Sequence, residues 1–233
     1  MEHNYVCIHC GKQAPALYRE YTKELLKMCH CENCKMIVDG YVETEASIIL
    51  IDAVLQRKRA YRHILFNAEI KFVWKLAIVF LLCDAYQKWI LDRAVPWNFD
   101  NSDGFIYLEL EWNFYFACLK ATIENLLFLF FVVLFIFIIY KKRISKKKNS
   151  TTNLLNGLVI FSYGKVFYLP AVLWGMHGGT TTDFLITAFV LISEIQACIV
   201  TVEIPKVFAT AIVVFSYVLH RAVALAVYKN IHN

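Results

Sequence analysis

The chain has 233 residues, 59% of them apolar, 15% aromatic and 18% charged, with a formal net charge of +5. A soluble domain typically carries about 25% charged residues, so this balance excludes a disordered chain, a coiled coil and a nucleic-acid-coating protein. Four Pro and eight Gly leave no low-complexity linker, and the apolar excess points to an integral membrane protein.

The apolar residues are unevenly spread. The first 71 residues carry ten Lys/Arg and nine Asp/Glu, and long apolar runs follow. The opening 21 residues are polar and charged, unlike a cleavable signal peptide, so insertion is expected to begin at a later span.

Cysteines dominate the N-terminal segment. Cys7-Ile8-His9-Cys10-Gly11 holds one C-x-x-C and Cys31-Glu32-Asn33-Cys34 a second, with twenty residues between the pairs. Each pair brings two thiolates together, and four soft ligands in a tetrahedron suit Zn²⁺. The spacing predicts a zinc ribbon with Cys7, Cys10, Cys31 and Cys34 as ligands. Gly11 can take the positive φ that closes the first turn. Cys29 is an extra thiol, and Cys31 is preferred because it completes the turn with Cys34. Four protein ligands leave no open position, so one structural zinc is expected. A segment of about forty residues cannot build a sufficient core without such help.

Residues 46–55 read Ala-Ser-Ile-Ile-Leu-Ile-Asp-Ala-Val-Leu, with Ile48, Ile51, Val54 and Leu55 on one helical face. This helix is too short to span a bilayer. It is expected to pack on the zinc module, to lie in a membrane interface, or to do both. Arg57, Lys58, Arg59 and Arg62 follow, with Tyr61 among them, which suits contact with anionic headgroups at a membrane surface.

Five spans are predicted beyond, at about 72–91, 121–140, 154–174, 184–202 and 207–228, each near the ~20 residues a bilayer needs. The first is interrupted by Lys75, Asp84 and Lys88. Lys141, Lys142, Arg143, Lys146, Lys147 and Lys148 follow the second span, whereas the segment 92–120 is acidic. The positive-inside rule places loop 141–153 and the N-terminus in the cytosol. The acceptor sequence Asn149-Ser150-Thr151 is then expected to stay unglycosylated.

Ionisable residues within spans are costly. Asp84, Lys165 and Glu194 either form a polar path or headgroup site, or neutralise one another, for example as a Lys165–Glu194 ion pair. Leu158, Tyr163 and Lys165 match the loose L/V-x₁₋₅-Y-x₁₋₅-K/R sterol pattern. Gly164 and Pro170 in the same span can open a gap for a flat lipid. Tyr163, Lys165 and Pro170 are therefore candidate lipid-binding residues. Without a Ser-His-Asp order, a phosphate-cradling Gly loop or an open metal site, no catalytic activity is expected. The fold class expected is mainly α, a polytopic helical membrane protein. Its parts are a cytosolic zinc-ribbon-like module (1–45), an amphipathic, basic juxtamembrane segment (46–71) and a transmembrane helical domain (72–233).

Tyr5-Val6-Cys7-Ile8-His9-Cys10, Leu17-Tyr18-Arg19-Glu20-Tyr21, Cys31-Glu32-Asn33-Cys34, Ile48-Ile49-Leu50-Ile51-Asp52-Ala53-Val54-Leu55 and Ala60-Tyr61-Arg62-His63-Ile64-Leu65-Phe66-Asn67 occur in this order. Together they resemble the homology domain of the Arv family, named for "ACAT-related protein required for viability". Leu82-Cys83-Asp84-Ala85-Tyr86, Ser162-Tyr163-Gly164-Lys165, Leu169-Pro170-Ala171-Val172-Leu173-Trp174 and Gln196-Ala197 extend the resemblance. It implies a multi-pass endoplasmic-reticulum protein of sterol homeostasis, acting in sterol transport between membranes with linked effects on sphingolipids. The expected partners are sterol, anionic headgroups and sterol-handling or lipid-glycosylating membrane proteins, with no nucleic acid. The alternative it implies is an accessory subunit of glycosylphosphatidylinositol-anchor synthesis.

Overall fold

The computed structural model describes residues 5–22, 25–68, 70–93, 105–146, 150–176 and 179–231. Asn149, Lys147, Lys148 and the acidic segment around Asn101 lie outside them. The chain divides into two units, Met1–Lys71 and Phe72–Asn233.

In the first unit, β1 (Tyr5–Val6) pairs antiparallel with β2 (Gln13–Ala14), and β3 (Tyr18–Thr22) with β4 (Leu25–Met28). The turns that carry the cysteines share one backbone pattern. The Cys7 N–H donates to the Lys12 carbonyl and the Gly11 N–H to Cys7, while the Cys31 N–H donates to Met36 and the Lys35 N–H to Cys31, all at 2.8–2.9 Å. The equivalent fifth positions, Gly11 and Lys35, have φ of 81° and 60°. Gly11 meets this at little cost, whereas Lys35 holds a left-handed conformation that its Cβ disfavours.

The core beneath these turns is small. Cys7, Ala14, Leu17, Cys31 and Val38 are buried together. A 3₁₀ turn (Gly40–Glu43), α1 (Ala46–Val54), α2 (Lys58–Arg62) and one π-helical turn (His63–Asn67) complete the unit.

The orientation of α1 differs from a helix packed on the module by its apolar face. Asp52 and Ala53 point inward, whereas Ile48, Leu50, Ile51 and Leu55 are exposed. The cause is polar: Asp52 accepts from the Tyr41 hydroxyl at 2.6 Å and pairs with Arg57 at 3.0 Å. Fixing that carboxylate inward turns the apolar stripe outward.

The second unit is helical: α3 (Val73–Arg93), α4 (Phe105–Lys146), α5 (Ser150–Ile160), a 3₁₀ segment (Phe161–Phe167), α6 (Tyr168–Leu173), α7 (Thr180–Val202) and α8 (Lys206–Ile231). Among the described residues, four helices are long and apolar enough to cross a membrane: Trp112–Tyr140, Thr151–Leu173, Thr180–Val202 and Lys206–Val227. The remaining predicted span, 72–91, forms α3, of spanning length, but Lys75, Asp84 and Lys88 keep its composition from qualifying. Among the described residues, four of the about five expected spans thus qualify by length and composition, and the other forms a helix of spanning length.

The faces of α4 show a membrane pattern. Trp112, Phe116, Leu119, Ile123, Leu126 and Phe130 recur at helical spacing and are exposed. Ala117, Ala121, Glu124, Phe128, Val132 and Ile136 occupy the opposite, buried face. The outward face is thus large and apolar throughout, whereas the inward face also admits the small Ala117 and Ala121 and the carboxylate of Glu124, as helices packed in lipid allow. The core joins Phe128, Val132 and Ile136 to Leu154, Leu158, Cys198 and Val213. Gly164 lets the 3₁₀ segment pass close to α7, since a Cβ there would lie 2.7 Å from the Phe189 ring.

Candidate metal centre and intramembrane polar cluster

The Sγ atoms of Cys7, Cys10, Cys31 and Cys34 all lie within 4.8 Å of one another. Cys7 and Cys34 are 3.7 Å apart, and Cys10 and Cys31 3.6 Å. Zn–S bonds of about 2.3 Å in a tetrahedron place sulfurs about 3.8 Å apart, against about 2.05 Å in a disulfide. The thiols therefore have the spacing of metal ligands, and all eight cysteines are free. Cys29 lies outside the cluster. Its backbone pairs with Leu17 and Val38 and its side chain packs on the small core.

Cys7 and Cys10, the two thiols of the first turn, are electrostatically unequal. Burial pushes Cys7 up to about 12, against the backbone N–H groups of Cys10 and His9. Burial also opposes ionisation of Cys10, but hydrogen bonds from the Lys12 backbone and the Cys31, Asn33 and Cys7 side chains outweigh it and bring the thiol down to about 6. Such a pair is what a cation finds before binding, and a metal ligand must shed its proton. Lys12 Nζ donates to Asn33 Oδ1 at 2.7 Å, which ties the two turns together.

Buried polar residues brace the strand that leads into the first cysteine turn. Asp39, fully buried, accepts from the Tyr41 N–H at 2.9 Å, from Asn67 Nδ2 at 2.6 Å, and pairs with His63 Nδ1 at 2.7 Å. Asn67 also donates to the Val6 carbonyl and accepts the Val6 N–H, both at 2.9 Å. It behaves as an extra strand beside β1, directly before Cys7. Asp39 and Asn67 carry no metal-ligand or catalytic spacing, so motif reasoning missed them.

The basic cluster divides. Arg62 Nη1 donates to the Ile8 and His9 carbonyls at 2.9 and 2.7 Å, which engages it with the first cysteine turn. Arg57 keeps a 59% exposed side chain while pairing with Asp52. Arg59 is exposed and Lys58 half-buried. The expected surface patch is therefore carried by Arg57, Lys58 and Arg59, beside the exposed stripe of α1.

In the helical unit, Lys88 pairs with Glu124 at 2.9 Å and Asp84 at 3.4 Å. Lys165 pairs with Asp84 at 3.7 Å and donates to Asn125. Ser162 donates to Glu194 at 3.1 Å. The partner of Lys165 is thus Asp84 rather than the Glu194 suggested above, and α3 brings it there. Mutual pairing lowers the cost of these charges in lipid. Of the three candidate lipid-binding residues, Lys165 lines two cavities. Tyr163 instead packs edge-on against Phe161 and Phe189, and Pro170 falls in α6.

No solved structure matches this chain. Protein ARV1 of Bos taurus is 39% identical over 203 residues, 87% of this chain and 71% of the relative. Protein ARV1 of Homo sapiens is 38% identical over 209 residues, covering 87% and 74%. Protein ARV 2 of Arabidopsis thaliana is 30% identical over 204 residues, covering 84% and 83%. The model of the Arv1-like family matches residues 6–198, which takes in the cysteine centre and most of the helical unit, and the chain belongs to that family.

Proposed function

We propose that this chain is a non-catalytic mediator of sterol homeostasis at the endoplasmic-reticulum membrane, handling lipid or scaffolding the proteins that do. The observation that carries this reading is the family match, which runs through both units in one alignment. The four-thiol centre takes one Zn²⁺. With four protein ligands the ion has no position for water, so its role is structural. It fastens two turns over a core too small to hold them alone.

The N-terminal unit and loop 141–153 face the cytosol, where thiols stay reduced for the metal. There the exposed Ile48, Ile51 and Leu55 enter the headgroup boundary, and Arg57, Lys58 and Arg59 meet anionic lipids. This reading is supported by the outward turn of α1 and by the sequence adjacency of the two features.

Complementation tests it. Cells lacking their own family member receive this chain, and two readouts are taken: sterol distribution between endoplasmic reticulum and plasma membrane, and surface display of glycosylphosphatidylinositol-anchored proteins. Restored sterol distribution is the expected result. Restored anchor display with sterol distribution still abnormal would replace the proposal with an accessory role in anchor synthesis.

A further inference from the structure

We propose that the groove between α3 and α4 is a sterol site, with the hydroxyl end bound at an inner floor formed by the buried Glu194 and the half-buried Asn125, Ser162 and Lys165. This rests on the lipid-handling reading above and gives it a location. The groove encloses about 210 Å³. Its walls are apolar, from Ala77, Ile78 and Leu81 on α3 and Leu126 and Leu129 on α4. Ile78 and Leu126 are 47% and 60% exposed on the outer surface of the helices. The groove therefore opens where acyl chains would lie.

Its inner end is polar. Ser162 donates to Glu194, Lys165 donates to Asn125, and all four residues line the groove. Asn125, Phe128, Lys165 and Glu194 also line a second cavity of about 210 Å³ behind the first. A cleft with apolar walls and one polar end selects an amphiphile.

Charge narrows the headgroup. The rear cavity is lined by Asp84, Glu124, Asp183 and Glu194 against Lys88, Lys165 and Arg221. Each of these cations already faces a carboxylate: Lys88 faces Asp84 and Glu124, Lys165 faces Asp84, and Arg221 faces Glu124. A phosphate would meet four carboxylates and cations that are already engaged. A hydroxyl can donate to the Glu194 carboxylate and accept from the Lys165 ammonium without adding charge, while Asn125, whose two N–H groups go to Asp84 and the Ala121 carbonyl, holds Lys165 in place. The single polar end fits a lipid with one hydroxyl. A rigid ring system would lay one face against Ile78 and Leu126 and leave the other in the bilayer.

The test uses the full chain in phosphatidylcholine nanodiscs with a ring-diazirine sterol probe, followed by peptide mapping. Labels are expected in residues 77–81 and 122–129, and excess unlabelled sterol should remove them. Leu126→Trp fills the groove from its lipid-facing side and should lower labelling by about tenfold, the factor produced by losing 1.4 kcal/mol of binding. Phe130→Trp, at another exposed position of the same helix, should leave labelling unchanged. Gel filtration and melting temperature of both variants establish that they remain folded.

Phosphatidic acid, ceramide, diacylglycerol and sphingosine serve as competitors. Any of them competing as well as sterol would overturn the assignment, as would labelling unaffected by Leu126→Trp or spread over all exposed helices. Complementation with Leu126→Trp separates this proposal from the broader one. Normal sterol distribution with the groove filled sinks the site but leaves the homeostasis role standing. Failure of the unaltered chain to restore distribution sinks the role itself.

Discussion

Asp39→Ala should loosen the metal centre although the Asp39 carboxylate bonds Tyr41, His63 and Asn67 and is not one of the four ligands. The carboxylate takes hydrogen bonds from the Tyr41 N–H, His63 Nδ1 and Asn67 Nδ2. Its removal leaves the first two donors without that acceptor, while Asn67 Nδ2 keeps the Val6 carbonyl. An orphaned buried donor costs about 1–3 kcal/mol, so two of them cost about 2–6 kcal/mol. Because the metal and the fold of a small module are coupled, that penalty raises the open, metal-releasing population at least roughly tenfold. The assay is chelator-driven zinc release from the purified full chain, read beside hydrogen exchange at the Val6 and Tyr41 amides. Asp39→Asn retains one carbonyl acceptor and should fall between Asp39→Ala and the parent chain. Parent-like release from Asp39→Ala, with both amides still protected, would refute the reasoning.

Serine at Cys7, Cys10, Cys31 or Cys34 should abolish stoichiometric metal in elemental analysis, whereas Cys29→Ser should retain it, because the Cys29 thiol lies outside the cluster. Gly11→Ala should hasten zinc release, since φ of 81° costs a side chain about 1–2 kcal/mol and its Cβ would lie 3.0 Å from Arg62 Nη2. Gly40→Ala is the matched control, with nothing within 4 Å of the added atom. Neutralising Arg57, Lys58 and Arg59 should weaken flotation of the zinc-loaded N-terminal unit with anionic liposomes by about 1 kcal/mol per residue, in a salt-sensitive manner. Arg62→Gln should instead show itself in zinc retention, through its bonds to the first cysteine turn. An acceptor sequence engineered near Asn101 should be glycosylated while Asn149 is not; the reverse pattern would place the cysteine centre in an oxidising lumen.

The cysteine pattern was legible because a C-x-x-C turn is local: spacing alone brings two thiols together, and Gly11 marks where the chain must take positive φ. The helices were legible from their apolar runs. What escaped was set by contacts distant in sequence. Asp39, His63 and Asn67 read as ordinary polar residues until folding brings the π-helical turn beside β1 and encloses the Asp39 carboxylate. The α1 stripe was visible, but its direction depends on Asp52 reaching Tyr41, which no periodicity reports. Lys165 and Glu194 could be paired on paper because both interrupt apolar runs. The structure gives Lys165 to Asp84 because α3 supplies the nearer carboxylate. For the same reason, hydropathy undervalues α3: Asp84 and Lys88, counted as exposed to lipid, are paired within the helical unit.

The central claim is that this chain engages sterol itself. Purified full-length protein, free of co-purifying subunits, should be reconstituted in liposomes and titrated with a fluorescent sterol. The account predicts saturable binding that Leu126→Trp weakens and that excess phosphatidic acid leaves intact. No saturable binding by the isolated chain, with sterol effects appearing only when glycosyltransferase subunits are added back, would contradict it.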